Sequence, residues 1–326
     1  MASVTRRRPK GQVSGENIVT EGAWMYYHEG LNQTEIAEQL GVSRATVVNY
    51  LQEAKERGFV RISLAEKVFT NHKLALKLRE RFGLSAAYVV PDGIGGEEEA
   101  LMRAARGAAD WLPSLLSTGD NLGVSWGRTI YEAAEAMEET ETEGISVSQL
   151  VGSMATPYGF TTEICSAHMA QRLGAKCINL HAPAVISDPD LAARLREEPI
   201  IRKQIEALSH CNKAIFAAGS VNHESHIVSS GVATHSDLDW YVDRGATGVL
   251  CGRFIDDQGK SIPGKLDDRM IGVELDKLLN LDMGLLVSVG EVKVVPMLSA
   301  IAGGYVTHIV TSNRTAASML RVADER

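Results

Sequence analysis

The spacing of apolar side chains divides the chain into segments of different character. From residue 15 to residue 58 apolar residues recur every three or four positions, which predicts a compact helical segment. The run Phe59–Leu64 then alternates apolar and polar side chains and predicts a short strand. Helical spacing returns over Val68–Phe82, which predicts a connecting helix ended by Gly83. One stripe of that helix holds Leu74, Leu78 and Phe82.

Beyond residue 83 the chain repeats a pattern of short apolar run, glycine-rich turn and helix. Helices are predicted from Glu97 onward and through Ala136. Short buried strands that alternate with helices are typical of a parallel α/β sheet. The predicted strands are Ala86–Val90, Asn121–Ser125, Gln149–Val151, Cys177–Leu180, Ala214–Phe216, Gly248–Leu250 and His308–Val310.

The stretch Val294–Asn313 has no formally charged side chain and could be mistaken for a membrane span. It contains Pro296, the pair Gly303–Gly304 and His308, which a helix in hydrocarbon disfavours. We therefore predict a buried helix, a glycine break and a buried strand. The first residues, MASVTRRRPKGQ, carry basic side chains without the apolar stretch of a signal peptide. These features predict a soluble protein that does not engage membranes.

Composition narrows the class of protein. A chain of 326 residues has room for two or three domains, and 44% apolar residues can form a large core. Wholesale disorder and collagen-like or low-complexity structure are therefore excluded. The cysteines are too few and too scattered for a disulfide framework, which favours a reducing cytoplasm, and no two of them form the C-x-x-C pair of zinc ribbons and thioredoxin motifs. The four cysteines are Cys165, Cys177, Cys211 and Cys251.

Charge is distributed unevenly along the chain. The formal net charge is −8, yet residues 1–66 hold eight Lys/Arg and eight Asp/Glu and are neutral overall. The remainder therefore carries the whole of the net charge of −8. Because an acidic surface repels nucleic acid, any contact with DNA is expected from the N-terminal segment.

Residues 33–55, QTEIAEQLGVSRATVVNYLQEAK, have the features of a helix-turn-helix. Ala37 is small where two helices would cross closely, and Gly41 follows where the turn requires positive φ. Val47 supplies a β-branched core residue, and Ser43 is a good N-cap for the second helix. An ordinary helical hairpin is the alternative, but the strand-like run that follows, read as a wing, favours a winged helix-turn-helix. The apolar seam is completed by Ile36, Leu40, Val42, Tyr50 and Leu51.

The exposed face of the second helix offers side chains that read base edges. Arginine recognises guanine, asparagine and glutamine recognise adenine, and alanine or a threonine methyl group contacts thymine. We predict that double-stranded operator DNA binds there. The predicted DNA-binding residues are Gln33, Thr34, Ser43, Arg44, Ala45, Thr46, Asn49 and Tyr50.

The run GLNQTEIAEQLGVSRATVVNYLQEAKERGFVRI, near the start of a chain of this length, resembles the SorC family of bacterial sugar-responsive transcription regulators. The resemblance implies a C-terminal, Rossmann-like parallel-sheet domain similar to glucosamine-6-phosphate deaminase and ribose-5-phosphate isomerase. It also implies a sugar, polyol or sugar-phosphate effector and a homotetramer built as a dimer of dimers. The later segments that resemble the family's effector-domain signatures, in order, are Gly123–Thr129, Gln149–Ser153, Gly252–Asp256 and Gly290–Lys293.

These patterns and the resemblance together predict four parts of the chain. Residues 1–13 form a flexible basic tail, and residues 14–66 form the winged helix-turn-helix. Residues 67–83 form a linker helix that would relay between domains. Residues 84–326 form the domain that binds the effector and builds the oligomer.

Two turns that follow predicted strands are candidates for effector contacts. Gly123–Thr129 lies between a strand and a helix, where backbone N–H groups suit a phosphate or a hydroxyl-rich ligand. Val151–Thr156 is a second Gly/Ser/Thr turn, and the carboxyl ends of parallel strands can place both turns at one crevice. Thr161–Glu163 could begin the next helix nearby. The alternatives are that the glycines only permit tight turns, that Trp126 is a core residue and that the second turn is a plain polar loop.

Two charged residues complete the predicted effector site. Lys293 is the only charged residue in Val292–Asn313, and a lysine among apolar residues must meet an anion or reach water. In the resembling enzymes the equivalent Gly-x-x-Lys element binds the sugar phosphate; a surface lysine is the alternative. The carboxylate of Asp256 could accept hydrogen bonds from sugar hydroxyls or could simply terminate its element. The predicted effector-binding residues are Gly123, Ser125, Trp126, Gly127, Arg128, Thr129, Gly152, Ser153, Met154, Asp256 and Lys293.

Several features weigh against other chemistry. The segment Val310–Asn313 reads VTSN where the SorC family commonly shows Thr-Asp, and the deaminase's acid–base set has no match, so no catalytic residue is predicted. His223-Glu-Ser-His226 lacks the H-E-x-x-H spacing, and no metal is expected. Asp92–Gly96 lacks a G-x-G-x-x-G spacing, and no cofactor is expected.

Three functions stay open at this point. The favoured one is a DNA-binding regulator of carbohydrate or polyol catabolism that responds to a sugar or sugar phosphate. A sugar-phosphate isomerase or deaminase with a helical appendage is the second, since a fold does not determine function. The third is a scaffold that does not contact DNA, which would require the face around Arg44 and Asn49 to be buried against protein.

Overall fold

The computed structural model describes residues 15–62, 64–140, 142–154 and 159–325. The predicted basic tail, residues 1–13, lies outside these ranges. The chain folds as two compact units that divide between Leu64 and Ala65.

The described residues of the first unit form three helices: α1 (Gly15–Tyr27), α2 (Gln33–Leu40) and α3 (Arg44–Glu56). Asn32 begins α2 with a capping box in which its side chain accepts from the Thr34 and Glu35 N–H groups. Gly41 ends α2 at φ 67°, and the Ser43 hydroxyl accepts from the Thr46 N–H at 3.1 Å to begin α3. The predicted helix-turn-helix is confirmed, with its turn glycine and its cap.

The core of the first unit lies between the three helices. Ile36, Val47 and Ala54 are fully buried, and Ala37 and Leu51 are nearly so. Tyr50, Leu40 and Val42 pack against this cluster from its edge. The predicted apolar seam therefore forms the core of the unit.

The predicted wing strand is wrong: residues 59–62 and residue 64 have no strand conformation. Gly58 adopts φ 69°, and the N–H groups of Phe59 and Val60 both donate to the Ala54 carbonyl at the end of α3. These backbone groups close the helix and are not available to a ladder. The alternating apolar residues also lack the shared environment of a strand face, because Val60 packs against the helical core whereas Ile62 is exposed.

The second unit contains strands and helices in alternation. Its strands are β1 (Ala86–Val90), β2 (Asn121–Val124), β3 (Ser146–Gln149), β4 (Lys176–Ile178), β5 (Lys213–Phe216), β6 (Gly248–Leu250), β7 (Arg253–Ile255), β8 (Met283–Val287) and β9 (His308–Ser312). Its helices are α4 (Glu66–Thr70), α5 (Lys73–Phe82), α6 (Gly96–Trp111), α7 (Arg128–Ala136), α8 (Thr162–Arg172), α9 (Pro189–Glu197), α10 (Pro199–Leu208), α11 (His226–Ser229), α12 (His235–Val242), α13 (Lys265–Arg269), α14 (Val294–Ala302) and α15 (Asn313–Glu325). Short 3-10 turns occupy Leu112–Leu115, Leu275–Leu278 and Glu291–Lys293.

Seven parallel strands form the main sheet in the order β1-β9-β8-β5-β2-β3-β4. Two large apolar clusters lie within the unit: one contains Phe216, Leu286 and Ile309, and the other contains Leu122 and Leu285. Since successive residues of a strand face opposite sides, these clusters cover the two faces of the sheet. The predicted α/β fold with a parallel sheet is confirmed.

The order of the strands creates a switch point. From β2 the chain adds β3 and β4 on one side, whereas β5, β8 and β9 extend the sheet on the other. The crevice between β2 and β5 is therefore the place where connections leave in opposite directions, at the carboxyl ends of the strands. Ligands of open α/β sheets bind at such points.

One predicted strand of the sheet lies elsewhere. Gly248–Leu250 pairs antiparallel with β7 in a separate hairpin, and Leu250 lies opposite Arg253. The two residues of the turn, Cys251 and Gly252, both have positive φ, 48° and 83°, which a tight two-residue hairpin turn requires. Gly248–Leu250 therefore forms a hairpin with β7 and is not a strand of the parallel sheet.

The predicted connecting helix Val68–Phe82 is two helices. The chain breaks at Asn71 and His72, and extended His72 caps α5 by accepting the Leu74 N–H on Nδ1 at 3.3 Å. Ala75 and Leu78 of α5 are fully buried in the second unit, and Phe69 of α4 stacks on Tyr88 of β1. This segment is consequently part of the α/β unit and not a free-standing helix.

The uncharged stretch near the C-terminus has the predicted form. It comprises α14, a break at Gly303–Gly304 and the buried strand β9. Among the described residues, no helix has the length and apolar character needed to cross a membrane.

Candidate functional site

The predicted DNA-contacting face is formed by the start of α2 and the first two turns of α3. Arg44, Ala45 and Asn49 are exposed on α3, and Thr34 is exposed on α2. The Arg44 Nε donates to the Gln33 Oε1 at 3.2 Å and so joins the first residues of the two helices. This face leaves donors and acceptors open to solvent at the end of α3 that enters the major groove in helix-turn-helix proteins.

Three of the predicted DNA-binding residues have structural roles in the first unit. Ser43 caps α3, and its hydroxyl lies 2.8 Å from the hydroxyl of half-buried Thr46. Tyr50 is half-buried and packs on α1 next to Gly22. Ala45 and Asn49 therefore remain exposed for contact with base edges, and Arg44 keeps its terminal nitrogens for such contacts while its Nε bonds to Gln33.

A cavity of about 300 Å³ opens at the switch point between β2 and β5. The turn Ser125–Thr129 lines it after β2, Ala217–Gly219 lines it after β5, and Ser288 and Val289 line it after β8. Lys293 lines it from the Gly290–Lys293 segment. Six of the predicted effector-binding residues meet here: Ser125, Trp126, Gly127, Arg128, Thr129 and Lys293.

The turn after β2 is shaped for an anion. Gly127 has φ 119°, a conformation that side-chain-bearing residues rarely adopt, and it is the N-cap residue that precedes α7. Its carbonyl accepts the N–H groups of Ile130 and Tyr131, whereas no described group pairs with the N–H of Arg128 or Thr129. Unpaired N–H groups at a helix start carry partial positive charge and bind phosphates and carboxylates.

Lys293 brings a positive charge to the same cavity. Burial lowers the pKa of its ammonium below the usual range, and the charge of Glu97 acts in the opposite direction. No hydrogen bond or ion pair within the described ranges involves the Lys293 Nζ. Gly290 opens the segment at φ 109°, a conformation that favours glycine, and the Glu97 carboxylate lies over it, with Oε1 2.3 Å from where a Cβ would be.

Two carboxylates that the sequence did not single out also line the cavity. Glu98 accepts two hydrogen bonds from the Arg128 guanidinium, one of them from Nη1 to Oε2 at 2.8 Å. Glu97 lies over Gly290 and contributes the charge felt by Lys293. Both come from the first turn of α6, where acidic residues are common because they complement the helix dipole.

His226 and Cys251 are further cavity residues that the sequence did not assign. Partial burial of the imidazole, and then the charges of Lys293 and Arg128, hold the pKa of His226 below its usual range, so its ring is neutral at pH 7. A neutral imidazole can both donate to and accept from sugar hydroxyls. Burial raises the pKa of the Cys251 thiol to about 12, which keeps it protonated.

Four predicted effector residues lie among packing contacts instead of at the cavity. Gly123 is inside β2, where a Cβ would lie 2.6 Å from the Leu150 Cδ2. Gly152 and Ser153 bond to the backbone of neighbouring segments, and Met154 belongs to the core. For the three residues after β3 the reason is the strand order: β3 lies on the far side of β2 from β5, so the turn after β3 does not reach the crevice.

Asp256 also lies away from the cavity. Its Oδ1 accepts the N–H groups of Gln258 and Lys260 in the turn that follows β7, so it terminates that element. Thr161 and Thr162 begin α8 as expected, but Thr162 is buried and its hydroxyl donates to the Gly152 carbonyl. These groups stabilise the loop and are not among the cavity's lining residues.

The two histidines of the His223–His226 segment have separate surroundings. The His223 Nε2 lies 2.6 Å from the Asp239 Oδ1 on α12, whereas His226 lines the cavity. Throughout the described ranges, no group of three or more His, Cys, Asp or Glu side chains is placed to hold a metal ion.

Known proteins match the chain over nearly all of its length. Residues 66–321 match the family model described as "Putative sugar-binding domain", and residues 23–67 match that of the MarR family. The chain is 36% identical to the uncharacterized transcriptional regulator YjhU of Escherichia coli K12, over 97% of this chain and 98% of the relative. It is 30% identical to the deoxyribonucleoside regulator of Bacillus subtilis 168, over 94% of this chain and 97% of the relative.

A solved structure agrees with the fold of both units. The full-length sorbitol operon regulator SorC from Klebsiella pneumoniae superimposes with a TM-score of 0.76 over 94% of this chain and 99% of that chain. Sequence identity to it is 23%, so this likeness is one of fold.

Proposed function

The chain belongs to the SorC family of transcriptional regulators that carry a sugar-binding domain, and from this premise we propose that α3 reads operator DNA and that a sugar phosphate in the cavity alters the affinity for that DNA. Ligand can change DNA affinity only if it binds two conformations of the protein unequally. Regulation of genes for the use of the same sugar or polyol is the corresponding role.

The exposed side chains of α3 support the DNA half of the proposal. Arg44 and Asn49 carry the donors that recognise guanine and adenine in the major groove, and Ala45 can contact a thymine methyl group. We propose that Gln33 and Thr34, at the start of α2, contact the phosphate backbone. Each base-reading side chain should contribute about 1–3 kcal/mol at one base position.

One observation carries the effector half of the proposal. The unpaired N–H groups of Arg128 and Thr129, the Arg128 guanidinium and the Lys293 ammonium converge on one cavity at the switch point. That set of donors suits a phosphate group, and Ser125, Ser288 and His226 can bond sugar hydroxyls. A cavity of about 300 Å³ has the size of a monosaccharide site. The names of a deoxyribonucleoside regulator and a sorbitol operon regulator among similar proteins support a sugar or polyol class.

The effector half is tested by Lys293→Gln in the full chain. We expect the variant to retain selective DNA binding and to lose most of its response to sugar phosphates, measured by fluorescence anisotropy with DNA from upstream of its own gene. Lys277→Gln is the matched control, because Lys277 is an exposed lysine paired with Asp276 and does not line the cavity. A Lys293→Gln variant that responds like the unmodified protein would contradict the assignment.

We propose in addition that the protein acts in the cytoplasm as a homotetramer, a dimer of dimers, and does not turn over its effector. The tetramer comes from the family resemblance, and a dimer would read two half-sites about one helical turn, or a multiple of it, apart. Sedimentation gives the oligomeric state. A turnover assay on phosphorylated hexoses, pentoses and tetroses checks the absence of catalysis, and any steady product formation would favour the isomerase or deaminase alternative.

A further inference from the structure

The arginine of the cavity is already engaged by a carboxylate of the same chain. The Glu98 carboxylate accepts from both terminal nitrogens of Arg128, in the forked arrangement that an arginine also offers to a phosphate. Glu98 and Arg128 both line the cavity, and they belong to different elements, α6 and α7. The pair therefore joins two walls of the cavity at the group best suited to bind an anion.

The second cation of the cavity faces the same helix. Glu97, the neighbour of Glu98, provides the negative charge that acts on Lys293. The first turn of α6 thus supplies a carboxylate to each of the cavity's two cations. No other acidic side chain among the described lining residues does so.

A phosphorylated ligand and a neutral sugar differ in their effect on this arrangement. A phosphate monoester carries a charge of about −1.5 to −2 at neutral pH and competes with a carboxylate for the same guanidinium. The Glu98 carboxylate and a phosphate are both negative and repel each other when they share one guanidinium. The carboxylate must therefore leave Arg128 when a phosphate takes its place. A neutral sugar offers no anion and leaves the pair intact.

The exposure of the pair makes such a replacement feasible. The side chains of Arg128 and Glu98 are 39% and 59% exposed. Ion pairs with this exposure are weak because water screens them. A ligand held also by Lys293 and by the N–H groups of the α7 start can therefore displace the carboxylate.

We infer that Glu98 is an internal competitor that sets the affinity of the cavity for anionic ligands. Its carboxylate occupies Arg128 until a phosphate replaces it, so that only an anion breaks this link between α6 and α7. This inference rests on the proposed function, because it requires the cavity to bind an anion.

The test compares Glu98→Gln with a matched control in the full chain. Glu132→Gln is the control, because Glu132 lies 3.9 Å from the Arg128 Nε on the same helix as Arg128 and does not line the cavity. Both substitutions remove one negative charge beside the same guanidinium. The probes are ribose 5-phosphate, inorganic phosphate and ribose, titrated by calorimetry, and thermal melting verifies that each variant is folded.

We expect Glu98→Gln to bind both anions roughly two- to fivefold more tightly than the unmodified protein, the range set by a weak exposed ion pair. Binding of ribose should be unchanged, and Glu132→Gln should stay within twofold for every probe. Anion affinities in Glu98→Gln equal to those of the unmodified protein, or weaker, would overturn the inference and leave the phosphate site standing. If neither the unmodified protein nor Glu98→Gln bound an anion, both the phosphate site and the inference would be overturned.

Discussion

Arg253 is a buried arginine whose partners come from later in the chain. It lies in β7 with 3% of its surface exposed, and its Nε donates to the Val273 carbonyl at 2.9 Å. Its terminal nitrogens donate to Asp267 and Glu274 at 2.9 and 2.6 Å. The resemblance of Gly252–Asp256 to a family signature placed this segment near the effector, but the arginine has a structural role. The carboxylates that it needs are distant in sequence, so the spacing of residues could not identify them.

Arg253→Ala should lower the free energy of unfolding by about 2–4 kcal/mol, because it empties the space of a buried side chain and leaves the buried Val273 carbonyl and the partly buried Asp267 without their donor. Urea denaturation of the full chain measures the change. Arg106→Ala serves as the comparison, since Arg106 forms an exposed i,i+4 pair with Asp110, worth at most about 1 kcal/mol. Equal losses in the two variants would contradict the role given to Arg253.

Asp120 forms a second buried pair, at the amino end of the sheet. Its carboxylate lies 2.6 Å from the Lys213 Nζ and accepts from Asn212 and from the Ser117 N–H. Burial alone would raise the pKa of Asp120, but these hydrogen bonds outweigh it and hold the pKa below its usual range.

The lowered pKa of Asp120 predicts how the stability of the fold depends on pH. A carboxyl group whose pKa is lower in the folded state adds stability above its unfolded pKa, and that stability disappears as the pH falls through the folded pKa. Asp120→Asn should therefore be less stable than the unmodified protein above about pH 5, with a gap that narrows below about pH 4. Urea denaturation between pH 3 and 7 measures the gap, and a gap that does not vary with pH would contradict this account.

At the scale of the element, two glycines of the helix-turn-helix unit differ in what they allow. Gly41 ends α2 at φ 67° with open space around a Cβ. Gly22 lies inside α1, and a Cβ there would meet its nearest neighbours at 3.8 Å, an ordinary contact. The same substitution should consequently have opposite effects at the two positions.

Gly41→Ala should destabilise the protein by about 1–2 kcal/mol, the cost of a left-handed conformation for a residue with a Cβ. Gly22→Ala should stabilise it by about 0.5–1 kcal/mol, since glycine is a poor residue for a helix interior. Thermal or urea unfolding of the two variants checks both signs. A loss of stability in both would mean that α1 has no room at Gly22.

The elements that the sequence predicted best are those defined by local patterns. β1 has the predicted bounds, and the turn after β2 and the helix-turn-helix lie where glycine and capping residues placed them. β8 was missed, because Met283–Val287 is a continuous apolar run that periodicity cannot distinguish from a buried helical segment. Gly248–Leu250 was placed in the wrong sheet, because a short apolar run does not reveal its pairing partner.

The candidate site was predicted in part for the same reason. Its turn residues and Lys293 are recognisable by local pattern and by resemblance. Glu97, Glu98 and His226 come from helix starts whose position at the cavity depends on the order of the strands. Ala217–Gly219 directly follows a predicted strand, so the rule that ligands bind at the carboxyl ends of parallel strands could have indicated it.

At the scale of the whole molecule, net charge differs between the part proposed to bind DNA and the part proposed to bind the effector. The first 66 residues are neutral overall and the rest carries the net charge of −8. We therefore expect DNA binding to come from the helix-turn-helix, through contacts strong enough to offset repulsion by the acidic second unit. Such binding should weaken steeply with salt, with a slope of roughly −0.9 per phosphate contact.

The most direct test of the account is binding of the full chain to DNA from upstream of its own gene, at several salt concentrations, with and without a panel of polyols, sugars and sugar phosphates. We predict sequence-selective binding whose affinity is changed by a phosphorylated member of the panel. Selective binding that no member of the panel changes would contradict the role of the cavity. The absence of selective binding at every salt concentration would contradict the regulator itself.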